Sequence, residues 1–252
     1  MYFLMGFLNI YFHKVTYLTI TRQGTFFGGQ LGIPRSCPNH VATLRGGVAM
    51  ADDATAAAPR VVRLRPSPLN SDTFAPYGQL IDPSPDGAEY GSHDAQLQLP
   101  GIPRFYVMHL EKTSLSFDKI THHASVTQCL GSIGGLPWYI GVVQPSIVDN
   151  DHLSSSSKQD VQRVEYGVGR AYEEAVHSKA GHYYIPPLPA NVKIFRVEGP
   201  RFLKLHVGTW HVGPLFKQNS MDFFSLELSN TNVVDHTTYA FKKVGVTFEI
   251  DD

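Results

Sequence analysis

Residues 193–228 read KIFRVEGPRFLKLHVGTWHVGPLFKQNSMDFFSLEL. This stretch contains short runs of β-branched and aromatic residues, and Gly, Pro or Asn stands at the boundaries between the runs. Runs of this kind are typical of β-strands, and such boundaries are typical of turns. We therefore predict strands at 193–199, 201–208 and 222–228.

The same pattern continues on both sides of this stretch and predicts an all-β fold. The regular spacing of the predicted strands favours a β-sandwich or β-barrel over an α/β fold. Residues 60–66 alternate apolar and basic side chains, which is typical of an edge strand. The further predicted strands lie at 60–66, 104–110, 115–123, 125–133, 137–145 and 246–250.

Three segments interrupt the strand pattern. Ser71 or Asp72 is expected to cap a short helical turn that ends at Gly78. Residues 82–103 are rich in Gly and Pro and predict an irregular loop. Residues 181–189 contain three prolines, so they predict a loop or a short edge strand.

Residues 149–181 are polar and include the low-complexity run SSSSKQD. They contain too few apolar residues to form a core of their own. We interpret them as a loop insertion, with one short helix near 171–177, in a single domain that spans residues 59–252.

The first 51 residues contain no Asp or Glu, whereas they contain Lys14 and three arginines. An acid-poor segment with arginines is typical of an organelle transit peptide, and the apolar opening is similar to the core of a secretory signal. A third interpretation places the natural start at Met50 and makes residues 1–49 a disordered extension. All three exclude residues 1–58 from the fold. A cytoplasmic protein is expected unless the extension is a transit peptide.

Composition excludes several classes of protein. The 252 residues are 42% hydrophobic and 17% charged with a net charge of −1, which excludes a disordered chain and a nucleic-acid binder with a basic surface. Cys37 and Cys129 are far apart and predict no disulfide framework. No apolar run is long enough to cross a membrane, so we expect neither a membrane nor a nucleic acid as a partner.

Candidate chemistry lies first in THHASVTQ, residues 121–128. Side chains alternate between the two faces of a strand, so Thr121 and His123 share a face and His122 points to the other. A tight turn after His123 is expected to bring Gln128 back beside it.

The second candidate segment is HVGTWH, residues 206–211. Gly208 permits a sharp turn that projects His211 towards the interior. Two imidazoles with an amide nearby outline a divalent-metal site, although most of the 12 histidines are expected on the surface or in the core. We assign no role to four of them, and we expect Trp138, Trp210 and Cys129 in the core. The four histidines are His122, His152, His177 and His236.

These two segments resemble the two histidine motifs of the cupin superfamily. The run FLKLHVGTWHVGPLFKQNSMDFFSLEL is similar to the signature of the ureidoglycolate lyases, formerly called ureidoglycolate hydrolases, and SDTFAPYGQLID is similar to the F-x-x-Y-G opening of that family. The resemblance implies a cupin-type double-stranded β-helix with short helices, which usually forms a homodimer. It implies cleavage of ureidoglycolate to glyoxylate and urea, late in allantoin and purine catabolism.

The resemblance also implies the site residues. His123, Gln128 and His211 match the cupin site positions and are the expected ligands of a divalent metal, with nickel associated with the family. His206, Trp210 and Asp222 match the family signature. The sequence departs from the family at Lys119 and Thr121, where acids are usual, at Val212 and Gly213, which lengthen the signature, and at Lys204.

The reaction suggests a role for each residue. His123 and His211 either bind the metal or act as acid and base. Histidine suits acid–base catalysis because its pKa is near neutrality. Lys204 and His206 lie two apart on one strand and share a face. If that face is the interior, Lys204 binds the substrate carboxylate and His206 joins the catalytic group.

The remaining candidate residues bind the substrate or orient other residues of the site. Gln128 is expected to hold the urea end of the substrate, and the site assignment also includes Trp210 as a substrate contact. Asp222 either orients a histidine or is only the salt-bridge partner of a strand end. Two other functions stay open: a metal-dependent cupin oxygenase or isomerase, and a non-catalytic small-molecule binder.

Overall fold

The computed structural model of the protein describes residues 60–148 and 174–252. Within these residues the chain is mostly β-strand in antiparallel sheets, with a few short helices. The all-β prediction is confirmed. The predicted extension at 1–58 and most of the predicted insertion lie outside the described residues.

The strands are numbered in chain order. Two short α-helices accompany them, α1 (Ser71–Phe74) and α2 (Thr231–Val234), together with 3₁₀ turns at Pro189–Asn191 and Phe241–Val244. The strands are β1 (Arg60–Leu64), β2 (Gly78–Ile81), β3 (Pro103–Glu111), β4 (Ser116–Phe117), β5 (Lys119–His122), β6 (Gln128–Ser132), β7 (Trp138–Val143), β8 (Ile147–Val148), β9 (Val176–His177), β10 (Tyr183–Tyr184), β11 (Lys193–Val197), β12 (Phe202–Leu205), β13 (Trp210–Leu215), β14 (Ser220–Leu228), β15 (Thr237–Ala240) and β16 (Val246–Ile250).

Two five-stranded sheets form the centre of the described fold. Sheet I has the strand order β11-β7-β13-β5-β15, and sheet II has the order β2-β12-β6-β14-β3. Both are antiparallel throughout. Two three-stranded sheets flank them, with the orders β1-β16-β4 and β8-β10-β9.

The core lies on both faces of sheet I. All six residues of β7 are buried, and successive side chains of a strand point to opposite faces. Trp138, Ile140 and Val142 pack in a cluster with residues of sheet II. Tyr139 and Val143 pack in a second cluster with Phe248 of β16. Sheet I is therefore a middle layer between sheet II and the β1-β16-β4 sheet.

The structure corrects three local predictions. Asn70, rather than Ser71 or Asp72, caps α1. The Asn70 side chain accepts a 2.9 Å hydrogen bond from the backbone N–H of Thr73, and the Thr73 hydroxyl accepts one from the backbone N–H of Asn70. In the segment 181–189, β10 is the central strand of its sheet and not a loop or an edge. At the end of the predicted helix near 171–177, Val176–His177 forms β9.

Other strand predictions hold with shifted boundaries. β1 is an edge strand of its sheet as predicted. The run 115–123 divides into β4 and β5 on either side of Asp118. The sequence did not predict β13 as a continuous strand, and it did not predict β15. No helix among the described residues is long and apolar enough to cross a membrane.

The Tyr77–Gly78 pair joins the start of the domain to β12 and to the turn that follows β12. The carbonyl of Tyr77 accepts hydrogen bonds from the His206 N–H at 3.0 Å and from the Thr209 hydroxyl at 2.8 Å. Gly78 lies against β12 so closely that an added Cβ would stand 2.0 Å from the Lys204 carbonyl oxygen. Only glycine allows this approach, which explains the Tyr-Gly of the opening motif in steric terms.

We expect Gly78→Ala to lower the free energy of unfolding by about 2–3 kcal/mol, because its methyl group would overlap a backbone oxygen that cannot move alone. Urea unfolding followed by tryptophan fluorescence measures this loss. Gly91→Ala is the matched control, because the nearest atom to an added Cβ there is 3.9 Å away. Equal midpoints for the two variants would contradict the steric account.

Candidate active site

A cavity of about 380 Å³ lies between sheets I and II. Its volume is within the range of small-molecule sites. The two sheets and the α2–β15 segment all contribute polar side chains, which gives a concave surface with convergent hydrogen-bonding groups. The polar lining residues are Tyr106, Lys119, Thr121, His123, Gln128, His211, Ser225, Glu227, Asn232, His236 and Thr238.

His123 and His211 lie together in this cavity, with ring centroids 5.4 Å apart. Nδ1 of His123 contacts the carbonyl oxygen of Asp235, and Nδ1 of His211 contacts the carbonyl of Thr209 at 3.1 Å. A carbonyl oxygen only accepts, so both Nδ1 atoms must carry the proton. The Nε2 atom of each neutral ring therefore keeps its lone pair.

Burial controls the charge of both rings. Desolvation lowers the pKa of His123, and the bond to Asp235 opposes this only in part. Desolvation lowers the pKa of His211 to about 3, with a further contribution from the neighbouring His123. Both imidazoles are neutral at pH 7, and so their Nε2 atoms act as hydrogen-bond acceptors rather than as parts of cations.

Gln128 lines the cavity with these rings and is bonded to a buried carboxylate. Its Nε2 donates to Oε2 of Glu227 at 2.8 Å. Glu227 is only 2% exposed and lines the same cavity. Sequence reasoning missed Glu227, although it shares a strand face with Phe223 and Ser225, where a charge is costly unless it is bonded.

Asp235 is a second carboxylate that the sequence analysis missed. It is 5% exposed, and its two oxygens accept the N–H groups of Ala124 and Ser125 at 2.7 and 2.8 Å. Its carbonyl oxygen also accepts from His123. Asp235 therefore fixes the turn between β5 and β6 together with the orientation of the His123 ring.

His236 is a third imidazole of the cavity, to which the sequence analysis gave no role. Its ring centroid is 5.6 Å from that of His123, and its Nε2 is 3.1 Å from the Thr238 hydroxyl. That hydroxyl in turn contacts the Thr121 hydroxyl at 3.1 Å. Nothing in the local sequence marks His236, because its place depends on the pairing of β15 with β5.

His122 points away from the cavity, on the opposite face from Thr121 and His123. It is fully buried, stacks on Trp210 with centroids 3.9 Å apart, and contacts His182 through Nε2 at 2.8 Å. Burial lowers the pKa of His122 to about 3.

Lys204 lies outside the cavity, so the condition for its predicted role, that its face of the strand is the interior, is not met. Gln128 and Leu130 of β6 line the cavity, so Cys129 between them points to the outer face of sheet II. Lys204 is paired with Cys129 and shares that outer face. Its Nζ donates to Nδ1 of His206 at 3.3 Å, and His206 Nε2 donates to the Ala75 carbonyl at 3.0 Å.

His206 lies near the cavity but is not one of its lining residues. It lines a narrow crevice that shares His123, Gln128 and His211 with the cavity. Both of its ring nitrogens are already hydrogen-bonded, to Lys204 and to Ala75. We therefore assign it to the support of the 206–209 turn.

Trp210 lies in the core as predicted, and Asp222 takes the salt-bridge alternative, so neither residue belongs to the cavity. Trp210 is fully buried and donates to the Ser146 hydroxyl at 2.8 Å, so it cannot contact a substrate in the cavity. Asp222 does contact a histidine, but it is the exposed His109, at 2.6 Å, and not a ring of the cavity. The sequence showed which residues alternate along these strands but not which face is the inner one.

Lys119 supplies the cation that Lys204 does not. It alternates with Thr121 and His123 along one face of β5 and its neighbouring turn, and all three line the cavity. Lys119 therefore gives the cavity a cationic side chain opposite the Glu227 carboxylate.

The donor set of the cavity does not fit a divalent metal. The described residues contain no group of three or more His, Cys, Asp and Glu side chains arranged to hold one. Of the charged side chains in the lining, Glu227 is already bonded to Gln128, and Lys119 would repel a cation. We therefore assign the chemistry to the side chains themselves.

The sequence matches no family model. It also matches none of the curated proteins.

We predict that two desolvated histidines, the buried His122 and the half-buried His211, make the stability depend on pH. A folded pKa below the unfolded value of about 6.5 means that the unfolded chain binds more protons, so stability is complete above pH 6.5 and falls towards pH 3. Each such histidine contributes a slope of about 1.4 kcal/mol per pH unit within that window.

His211→Gln should therefore unfold with a shallower pH dependence than the wild type, by about one proton. Urea unfolding at pH 7.5, 5.5 and 4.5 measures the difference. His93→Gln, at an exposed loop position, is the control and should keep the wild-type slope. Identical slopes for all three proteins would contradict the burial account.

Proposed function

We propose that this protein is a ureidoglycolate lyase with a cupin-type double-stranded β-helix. The observation that carries the proposal is the pair of neutral imidazoles, His123 and His211, whose Nε2 lone pairs are free beside a cationic side chain in one cavity. Two facing antiparallel sheets of five strands are consistent with such a β-helix. A homodimer and a ureide substrate are parts of the same proposal.

Ureidoglycolate is a hemiaminal that carries a carboxylate. Its cleavage removes the hydroxyl proton, and the O–H electron pair becomes the second bond of the aldehyde. The C–N bond breaks, and its electron pair goes to the nitrogen, which takes up a proton. The products are glyoxylate and urea, with no net gain or loss of protons.

His123 is suited to carry that proton. Its neutral Nε2 accepts the hydroxyl proton, and the resulting imidazolium is stabilised by Asp235 through the Nδ1–H bond and the nearby carboxylate. The same Nε2 then returns the proton to the leaving nitrogen. One imidazole thus serves first as base and then as acid.

His211 and Lys119 orient the substrate. His211 stays neutral because its pKa is about 3, so it accepts a hydrogen bond from the substrate and does not carry the proton. Lys119 lines the cavity and pairs with the substrate carboxylate as a point charge. This assignment replaces Lys204, which lies on the other face of sheet II.

A non-catalytic binder is the second candidate. The lysine and threonine at the positions that are acidic in the family favour it, because a pocket can keep its shape after losing its chemistry. The metal-dependent oxygenase has less support, since the described residues offer no three-ligand metal set.

We expect the purified protein to release glyoxylate from ureidoglycolate without added metal, in a coupled assay. His123→Gln should lower kcat by about 10²–10⁴-fold, because positioned acid–base catalysis contributes that much. His211→Ala should also abolish measurable release. Lys119→Met should raise KM about three- to tenfold with a smaller change in kcat, since it removes a partly solvated charge pair.

His93→Gln and Lys243→Met are the matched controls, because both positions are exposed and lie outside the cavity lining. Absence of glyoxylate release, with or without divalent cations, would contradict the lyase proposal. Binding of a ureide without turnover would then support the binder.

A further inference from the structure

Glu227 is a buried carboxylate whose two oxygens have different surroundings. Oε2 accepts a short bond of 2.8 Å from Gln128. Oε1 has three neighbouring donors, and all are at the outer limit of hydrogen bonding: Tyr106 Oη at 3.4 Å, Asn232 Nδ2 at 3.4 Å and Arg104 Nη1 at 3.5 Å. Oε1 therefore keeps acceptor capacity in a place where an unmet acceptor is costly.

The Glu227 side chain lines the cavity. Tyr106, Asn232, Gln128 and Glu227 all line it, on the side of sheet II and α2. His123, His211 and Lys119 line it from sheet I and the turn that follows β5. A small ligand that places its carboxylate at Lys119 can direct its other end to Glu227.

Arg104 balances the charge of Glu227. The two residues are directly paired across the β3–β14 ladder. The Arg104 guanidinium lies over the Tyr106 ring, 3.7 Å from its centroid, and its side chain is 46% exposed. A guanidinium thus already stands at the edge of the carboxylate, held by the ring and by the charge pair.

We infer that Glu227 accepts the N–H groups of the ureido end of the ligand, and that Arg104 sets a preference for a neutral ureido group over a cationic guanidino group. The inference rests on the proposed function for the class of ligand. It adds two residues to that function, Glu227 and Arg104, and a preference for a neutral over a cationic nitrogen group, which we call the charge rule.

The charge rule follows from the arrangement. A carboxylate without a partner binds a guanidinium more strongly than a urea, because the bonds to a cation are charge-assisted. With Arg104 in place, a second guanidinium meets a like charge, whereas a neutral ureido group does not. Removal of Arg104 should therefore reverse the preference of the pocket.

Ureidoacetate and guanidinoacetate are the probes that test this inference. Both carry a carboxylate, both lack the hydroxyl that cleavage requires, and they differ in the charge of the nitrogen group. Isothermal titration of the full chain should show ureidoacetate binding about tenfold more tightly than guanidinoacetate. Arg104→Met should make guanidinoacetate the tighter ligand, and Glu227→Gln should weaken ureidoacetate about tenfold.

Arg63→Met is the matched control, because Arg63 is exposed, pairs with Glu249 on β16 and lies outside the cavity lining. It should keep the wild-type preference. Arg104 is partly exposed, so Arg104→Met should fold even if Glu227→Gln does not, and circular dichroism checks both.

Failure of the inference and failure of the lyase proposal are distinguishable. A wild-type protein that binds neither probe, or an Arg104→Met protein with unchanged preference, overturns the inference whatever the assay of glyoxylate shows. The expected preferences without glyoxylate release support the inference and contradict the lyase. Glyoxylate release together with unchanged preferences leaves the lyase and removes the charge rule.

Discussion

The hydrogen bonds of Asp235 hold the candidate site together. Its carboxylate accepts two backbone N–H groups of the turn after β5, and its carbonyl accepts the Nδ1 proton of His123. A buried carboxylate is stable only with such donors, and these bonds to a charge are strong. One residue therefore fixes the path of the turn, the position of Gln128 beyond it and the tautomer of the His123 ring.

Burial determines the protonation state of the two central histidines. The two central imidazoles are neutral because desolvation lowers the pKa of each. The lining contains one cationic and one anionic side chain, Lys119 and Glu227, and Arg104 stands beside Glu227. Lys119 suits the carboxylate of a small anion, and Glu227 with its Arg104 partner suits a neutral hydrogen-bonding end. The same burial makes the folded state sensitive to acid, so stability and proton transfer depend on one property.

The strands and the two central histidines could be predicted because their signals are local. β-Branched runs between Gly and Pro mark the strands, and alternation places Thr121 and His123 on one face. β13 was missed because Gly213 and Pro214 interrupt its pattern. Alternation also does not tell which face is inner, so it could not show that Lys119, and not Lys204, lines the cavity. Glu227, Asp235 and His236 reach the site only through pairing between strands that are distant in sequence.

The central claim is that His123 and His211 present free Nε2 atoms at neutral pH. Long-range ¹H–¹⁵N correlation spectra of the imidazole rings test it directly, with the two rings assigned from His123→Gln and His211→Gln proteins. We expect both rings to show a protonated Nδ1 and an unprotonated Nε2 at pH 7. A proton on Nε2 of either ring, or an imidazolium spectrum, would contradict the account.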